Sequence, residues 1–127
     1  MHKVMNFVLQ FHEKYDLPIA ASPKLPDKER VQLRMKLLEK AYHDYRYAER
    51  AGDILEIADA MGDMIYVLAG TATEYGIPLE DIFTELHRSN MTRGEPIMTQ
   101  DGRLTKGPTY KKPELGRVLL ENMYELF

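Results

Sequence analysis

The chain has 127 residues and a formal net charge of −3, a length that suits a single core. It contains no cysteine, which excludes disulfides, thiol chemistry and cysteine-based zinc or iron–sulfur sites. The small negative charge gives no support to non-specific binding of nucleic acid or of an anionic membrane.

The first half of the chain predicts two helices joined by a linker. Apolar residues at helical spacing predict a short amphipathic helix over residues 3–15. Residues 17–26 contain three prolines in ten positions, which predicts an extended segment. Asp27 is a good N-cap for a long helix that ends at about Ala51, where Gly52 supplies the C-terminal stop.

Two more helices follow directly. Asp53 is placed to cap a third helix over residues 54–75, and Gly76 ends it. Pro78 opens a fourth helix that continues to about residue 90.

The last third of the chain is different in character. Residues 92–113 contain six glycines and prolines, so we expect a long structured loop, and loops of this length are more often functional than idle. Residues 113–127 then form a short helix or a partner-binding tail. The fold class predicted is all-α: one domain over residues 1–127, a bundle of four or five helices with a long ordered loop near the C-terminus.

No apolar run in the sequence approaches the roughly 18–20 residues that span a bilayer. The first sixteen residues also lack the apolar region of a signal peptide. We therefore expect a cytoplasmic protein that binds neither membrane nor nucleic acid.

The charges are segregated along the chain. Residues 51–87 carry eight acidic and no basic side chains, whereas residues 88–117 carry seven basic and three acidic ones. An uncompensated acidic block followed by a basic block is the pattern that any function must explain.

The acidic block centres on the third helix. At about 100° per residue, Glu56, Asp59 and Asp63 share one narrow stripe of this helix, which contains no lysine or arginine. Like charges at such spacing repel, so the stripe is either a solvated face or a cation site, and oxygen ligands suit Mg²⁺ or Mn²⁺. Asp53 and Glu56 also match a capping box, which gives Glu56 a separate structural role.

The second helix adds two polar candidates. Arg34 lies on its apolar arc and Asp44 lies at the border of that arc. An arginine on a buried face is either paired or functional. Arg34 and Asp44 therefore belong either to the same site as the acids of the third helix or to an internal salt bridge.

The basic loop is the third candidate region. Cations, mobile glycines and an aromatic ring beside a metal site are what a polyphosphate ligand needs, and a solvated basic loop is the alternative. The spacing of a P-loop is absent. The candidate residues here are Arg88, Asn90, Arg93, Arg103, Lys106, Tyr110, Lys111 and Lys112.

These segments resemble the all-α nucleoside triphosphate pyrophosphohydrolase superfamily, which includes MazG-type enzymes and phosphoribosyl-ATP pyrophosphohydrolase. The resemblance covers roughly residues 7–115 and is closest to the phosphoribosyl-ATP pyrophosphohydrolase branch. It is carried by FHEKYDLPI, GDILEIADAMGDMIYVLAGTATEYGI and HRSNMTRGEPIMTQDGRLTKGPTYKKPEL.

The resemblance implies a helical bundle, dimeric or larger, in which carboxylates on two antiparallel helices hold Mg²⁺. It implies cleavage of a nucleotide between the α- and β-phosphates to give the monophosphate and pyrophosphate. The metal ligands implied are Asp44, Glu56, Asp59 and Asp63. The family's usual water-orienting glutamates are missing from this chain, so we expect Asp44 or Asp59 to orient the water. The nucleotide and phosphate contacts expected are Arg34, Asn90, Arg93, Lys106 and Tyr110.

One departure from the family pattern stands in the second helix. Where the family's first motif places two adjacent glutamates, this chain has Lys40 and Ala41, and Asp44 alone keeps an acid. Losing two acids and gaining a lysine should weaken metal affinity. The leading hypothesis is an Mg²⁺-dependent nucleoside triphosphate pyrophosphohydrolase; the alternatives are a non-catalytic nucleotide-binding protein of the same fold and a purely structural helical interaction protein.

A homodimer is expected on separate grounds. Eight tyrosines and eight methionines in 127 residues provide more apolar surface than one small bundle conceals. The active site is then free to draw on both subunits.

Overall fold

The computed structural model describes residues 2–124, and of residue 124 the backbone alone. Within this range the regular structure is helical, which confirms the predicted fold class. The five helices of the described residues are α1 (His2–Lys14), α2 (Lys28–Ala51), α3 (Ile54–Tyr75), α4 (Leu79–Asn90) and α5 (Leu115–Tyr124).

The backbone divides into two compact units, residues 1–77 and residues 78–127. The first unit holds α1, α2 and α3, and the second holds α4, the long loop and α5. A single domain over the whole chain remains the prediction from the sequence. No helix of the described residues is both long and apolar enough to cross a membrane.

Local sequence signals end the long helices where they were predicted to end. Gly52 and Gly76 both adopt the left-handed conformation, at φ 68°, which glycine enters at little cost. The Asp53 carboxylate caps α3 by accepting hydrogen bonds from the amides of Leu55 at 3.0 Å and Glu56 at 3.4 Å. Asp27 occupies the N-cap position of α2 without a side-chain bond.

In the first unit, α3 packs against both α1 and α2. Arg30 of α2 pairs with Glu74 of α3, and Arg34 of α2 bonds Thr71 of α3. Residues later in α2 therefore contact residues earlier in α3, so the two helices are antiparallel. Small side chains dominate the core between the helices: Val8, Ala41, Ala48, Ala60, Ala69 and Ala72.

The predicted linker has no regular structure, but it is fastened to the end of α3. The amide of Ala20 donates to the carbonyl of Thr73 at 3.0 Å, and that of Lys24 donates to Tyr75 at 2.9 Å. A Cβ on Gly76 would lie 2.2 Å from the carbonyl oxygen of Ser22. Gly76 therefore serves both the end of α3 and the close approach of the linker.

In the second unit, α4 packs against α5. The loop between them is ordered, with an isolated antiparallel bridge between Met98 and Leu104. The buried hydroxyl of Ser89 donates to the Lys111 carbonyl at 2.7 Å. The predicted structured loop is thus confirmed. Of the two alternatives predicted for the end of the chain, a helix or a partner-binding tail, residues 115–124 form the helix. Residues 125–127 lie outside the described residues.

The helix α3 keeps an apolar face exposed between residues 54 and 68. Ile54 is 78% exposed, and Met61, Ile65 and Leu68 are each close to half exposed. At about 100° per residue these side chains share one side of α3, opposite the acidic stripe, and within the described chain they remain largely uncovered.

Candidate active site

A buried ion network supports the α2–α3 pair. Glu74 is 2% exposed and accepts two hydrogen bonds from Arg30, at 2.9 and 2.8 Å, and one from Arg34 at 3.2 Å. The hydrogen bond to Glu74 raises the pKa of Arg30, and burial lowers the pKa of Arg34 although Glu74 partly offsets it. A buried charge needs such partners, because an unpaired one is costly.

Each of the three guanidinium nitrogens of Arg34 donates a hydrogen bond to an acceptor within the protein. Nε donates to the Thr71 hydroxyl at 3.1 Å and Nη2 donates to the Val67 carbonyl at 2.7 Å. The internal salt bridge, one of the two roles predicted for this arginine, is therefore confirmed. Phosphate binding by Arg34 stays a prediction, and we leave it out of the proposed site.

Gly70 lets two polar side chains approach the backbone of α3. A Cβ at this position would lie 2.5 Å from Nη2 of Arg34 and 3.2 Å from Nε2 of His12. His12 is 2% exposed, and its Nδ1 lies 2.9 Å from the carbonyl oxygen of Pro18. A carbonyl oxygen can only accept, so Nδ1 carries a proton in this hydrogen bond.

Next to this network, α2 and α3 border a cavity of about 200 Å³. Its charged lining consists of Lys40 and Asp44 from α2 and Asp63 from α3. Nζ of Lys40 donates to Oδ2 of Asp44 at 2.9 Å. We call this the acidic cavity.

A second cavity, of about 170 Å³, adjoins the acidic cavity and shares Leu37, Tyr66 and Val67 with it. Its other walls include Phe11 and His12 of α1. Phe11 and Tyr66 meet edge to face, with ring centroids 5.5 Å apart. This aromatic cavity has mainly apolar walls, and its polar lining includes the imidazole of His12 and the guanidinium of Arg34.

The structure brings together two of the four predicted metal ligands. Asp44 and Asp63 line the acidic cavity, whereas Glu56 and Asp59 are exposed on α3 and do not line it. Among residues 2–124, no group of three or more His, Cys, Asp or Glu side chains is arranged to hold a metal ion. The roles of Glu56 and Asp59 therefore stay predictions.

Asp44 and Asp63, the two carboxylates that line the acidic cavity, fit Mg²⁺ as part of a shared coordination shell. Magnesium is usually held by one or two carboxylates together with substrate phosphates and waters, rather than by a complete protein cage. Asp44 and Asp63 supply hard oxygen donors of this kind. The donor set fits a metal that is bound jointly with a nucleotide.

The predicted phosphate residues form a cluster in the second unit. Arg93 donates from Nη2 to Oδ1 of Asn90 at 3.1 Å and from Nη1 to the Leu104 carbonyl at 3.1 Å. Its guanidinium carbon lies 5.6 Å from the centroid of the Tyr110 ring, and Nζ of Lys106 lies 5.0 Å from it. The structure therefore brings Asn90, Arg93, Lys106 and Tyr110 together, with the ring of Tyr110 holding two cations by cation–π attraction.

The family model of phosphoribosyl-ATP pyrophosphohydrolase matches residues 8–90. The chain belongs to this family. The phosphoribosyl-ATP pyrophosphohydrolase family lies within the MazG-like all-α superfamily, so the predicted resemblance is confirmed. A search of curated proteins gave no match.

Family membership supports a pyrophosphohydrolase that acts on a nucleotide. The matched range includes the acidic cavity, the aromatic cavity and Asn90. Arg93, Lys106 and Tyr110 follow the matched range, so their roles rest on the local geometry and on the predicted resemblance.

Sequence reasoning missed two features of the site. His12 was not singled out, because one histidine in a short amphipathic helix carries no motif. The ion pair of Lys40 with Asp44 could have been predicted from the sequence, because lysine and aspartate four residues apart share a helix face.

Proposed function

We propose that this protein hydrolyses a nucleoside triphosphate, or a nucleotide like phosphoribosyl-ATP, between the α- and β-phosphates. The products are the monophosphate and pyrophosphate. The observation that carries the proposal is the meeting of Asp44 and Asp63 at one cavity in a chain of the phosphoribosyl-ATP pyrophosphohydrolase family. A cytoplasmic location, where nucleotides are plentiful, is part of the proposal.

The proposed cofactor is Mg²⁺, with Mn²⁺ as a substitute, held by Asp44 and Asp63 together with phosphate oxygens. When bound, the metal supplies positive charge that offsets the charge of the phosphates. Asp44 or Asp59 orients a water molecule and accepts its proton as the water oxygen bonds to phosphorus and the α–β bridge breaks. Glu56 remains a proposed further ligand.

The other proposed contacts divide by chemistry. The cluster of Asn90, Arg93 and Lys106 offers donors for the phosphate oxygens, and Tyr110 holds its two cations in place. The aromatic cavity suits the nucleobase, because Phe11 and Tyr66 present ring surfaces and His12 offers a polar contact.

The test is a kinetic assay with a panel of ribo- and deoxynucleoside triphosphates and Mg²⁺ or Mn²⁺. We expect pyrophosphate release from at least one of them. The Asp63→Asn variant should lower kcat/KM on the order of 100-fold, the scale of losing one ligand interaction. Glu13→Gln, which removes the same charge from an exposed position of α1, is the matched control and should leave kcat/KM unchanged.

A second candidate function is favoured by one observation. The ammonium of Lys40 is already bonded to Asp44, which is what a non-catalytic nucleotide-binding protein would tolerate. This alternative predicts nucleotide binding by calorimetry without turnover, and a gain of hydrolysis in the Lys40→Glu, Ala41→Glu double variant. A purely structural helical protein would instead show no thermal shift with Mg²⁺ and nucleotide.

The proposal includes a homodimer. The apolar face of α3 formed by Ile54, Met61, Ile65 and Leu68 is exposed in the described chain, and a contiguous exposed apolar face is typical of an interaction surface. A second copy of the chain is the proposed partner.

A further inference from the structure

Lys40 occupies an unusual place in the acidic cavity. It lies on α2 one turn before Asp44, and its Nζ donates to Oδ2 of Asp44 at 2.9 Å. Asp63, on the facing helix α3, lines the same cavity. The cavity that offers two carboxylates therefore already contains a positive charge.

The fold itself has little need of this lysine. The side chain of Lys40 is 76% exposed, and exposed ion pairs four residues apart on a helix contribute only a few tenths of a kcal/mol. Removing Lys40 should leave the helix pair intact. Its position at the carboxylates, rather than any packing, is what distinguishes it.

The geometry holds the ammonium of Lys40 near the acids. Its Nζ donates to Asp44 on its own helix, and Lys40 lines the same cavity as Asp63 of the facing helix. Lys40 is therefore attracted by carboxylates of both helices.

A fixed positive charge also repels a second cation. A divalent ion a few ångströms from a unit positive charge is disfavoured by about tenfold in affinity even at the dielectric constant of water. A free divalent ion would have to share Asp44 with Lys40 or displace it. A nucleotide changes this balance, because its phosphates attract the metal and offer acceptors to the three N–H donors of the ammonium.

We propose that Lys40 is the internal counter-ion of the acidic cavity, which keeps free divalent ions out and admits them only together with a nucleotide. The inference rests on the proposed function for the identity of that ligand. Lys40 is thus a positioning residue: it neutralises Asp44 in the free protein and turns to the phosphates when the metal–nucleotide complex binds.

The test measures Mn²⁺ binding to the nucleotide-free protein by the loss of the free-ion electron paramagnetic resonance signal. Wild-type protein should bind weakly, and Lys40→Gln should bind on the order of tenfold more tightly. Lys40→Arg, which keeps the charge, should behave as wild type. Lys28→Gln is the matched control, because it removes the same charge from the same helix about 18 Å away along the axis.

Three results would overturn the inference. Lys40→Gln could bind Mn²⁺ no more tightly than wild type, or Lys28→Gln could show the same gain, which would make it an effect of net charge. The gain could also survive Asp63→Asn in the Lys40→Gln background, which would place the ion elsewhere. None of these readouts uses turnover, so failure here is distinguishable from failure of the hydrolase assay.

Discussion

At the scale of single residues, Glu74 is the side chain on which the α2–α3 pair depends most. It is buried and bonded to both Arg30 and Arg34. Glu74→Gln should lower the free energy of unfolding by about 3–5 kcal/mol, because it leaves the buried charge of Arg34 without its counter-ion. Urea denaturation measures this change.

The control for that variant is Glu29→Gln, at an exposed position in the first turn of α2. It should change the free energy of unfolding by less than about 1 kcal/mol. Equal effects of the two substitutions would show that the buried network does not have the role described for it.

We expect Glu85 to make the stability of the second unit fall at acid pH. Hydrogen bonds from Arg88 and then from the Glu114 amide lower its pKa from 4.5 to about 2. Because the pKa is lower in the folded protein, this group stabilises the fold fully above pH 4.5, and its contribution disappears as the pH falls toward 2.

Thermal unfolding measured between pH 5 and pH 2 tests this dependence. The interval covers both the ordinary Glu85 pKa of 4.5 and its value of about 2 in the folded protein. The Glu85→Gln variant should lose less stability than wild type across that interval. Some slope should remain, because hydrogen bonding by Thr99 also lowers the pKa of Asp101. A slope as steep as that of wild type would contradict the assignment to Glu85.

At this scale the sequence predicted some residues of the site and not others. Periodicity left two roles open for Asp44, and it was the family resemblance that placed Asp44 and Asp63 in one metal site; both line the acidic cavity. For Arg34 two roles were open, since a helix pattern shows burial but not the partner on the other helix. His12 could not be predicted, because its position depends on the fold of the linker carrying Pro18.

At the scale of the elements, the limits of the helices were predictable because local residues set them. Gly52, Asp53 and Gly76 act within one turn of the helix that they cap. The attachment of the linker to α3 was not predictable in this way. It depends on backbone hydrogen bonds between residues far apart in the chain, such as the one from the Ala20 amide to the Thr73 carbonyl.

The two helix-ending glycines give a matched test of that attachment. Both have φ 68°, but a Cβ at Gly52 meets nothing within 4 Å, whereas one at Gly76 would strike the Ser22 carbonyl. Gly52→Ala should cost about 1–2 kcal/mol of stability for the left-handed conformation alone. Gly76→Ala should cost more, because the linker must also move.

Thermal or urea unfolding of the two variants measures the difference. Proteolysis within residues 17–26 should also become faster in Gly76→Ala than in Gly52→Ala, since the linker loses its contact with α3. Equal stability and equal cleavage of the two variants would mean that the approach of Ser22 to Gly76 is unimportant.

At the scale of the whole molecule, part of the acidic block has a structural role. Within the acidic block, Glu74 and Glu85 pair with arginines inside their own units, and Asp53 caps a helix. Asp63 is the member of the block that lines the acidic cavity. A count of charges along the sequence could not separate these structural acids from Asp63.

The proposed homodimer also belongs to this scale. Replacing Ile65 and Leu68 of α3 with glutamate should convert the dimer to a monomer, because two charges would be buried without partners at the interface. Light scattering at micromolar concentration measures the mass. Leu25→Glu is the control, since Leu25 is 84% exposed in the linker and should leave the mass unchanged; a wild-type monomer would contradict the proposal.

Phosphorus NMR of the reaction products shows directly whether the protein hydrolyses a nucleotide between the α- and β-phosphates. The protein is incubated with Mg²⁺ and the panel of nucleotides, extended to phosphoribosyl-ATP. The signals of a nucleoside monophosphate and of pyrophosphate should grow together for at least one substrate and should grow far more slowly with Asp63→Asn. Release of orthophosphate with a diphosphate, or no product from any substrate with folded protein, would contradict it.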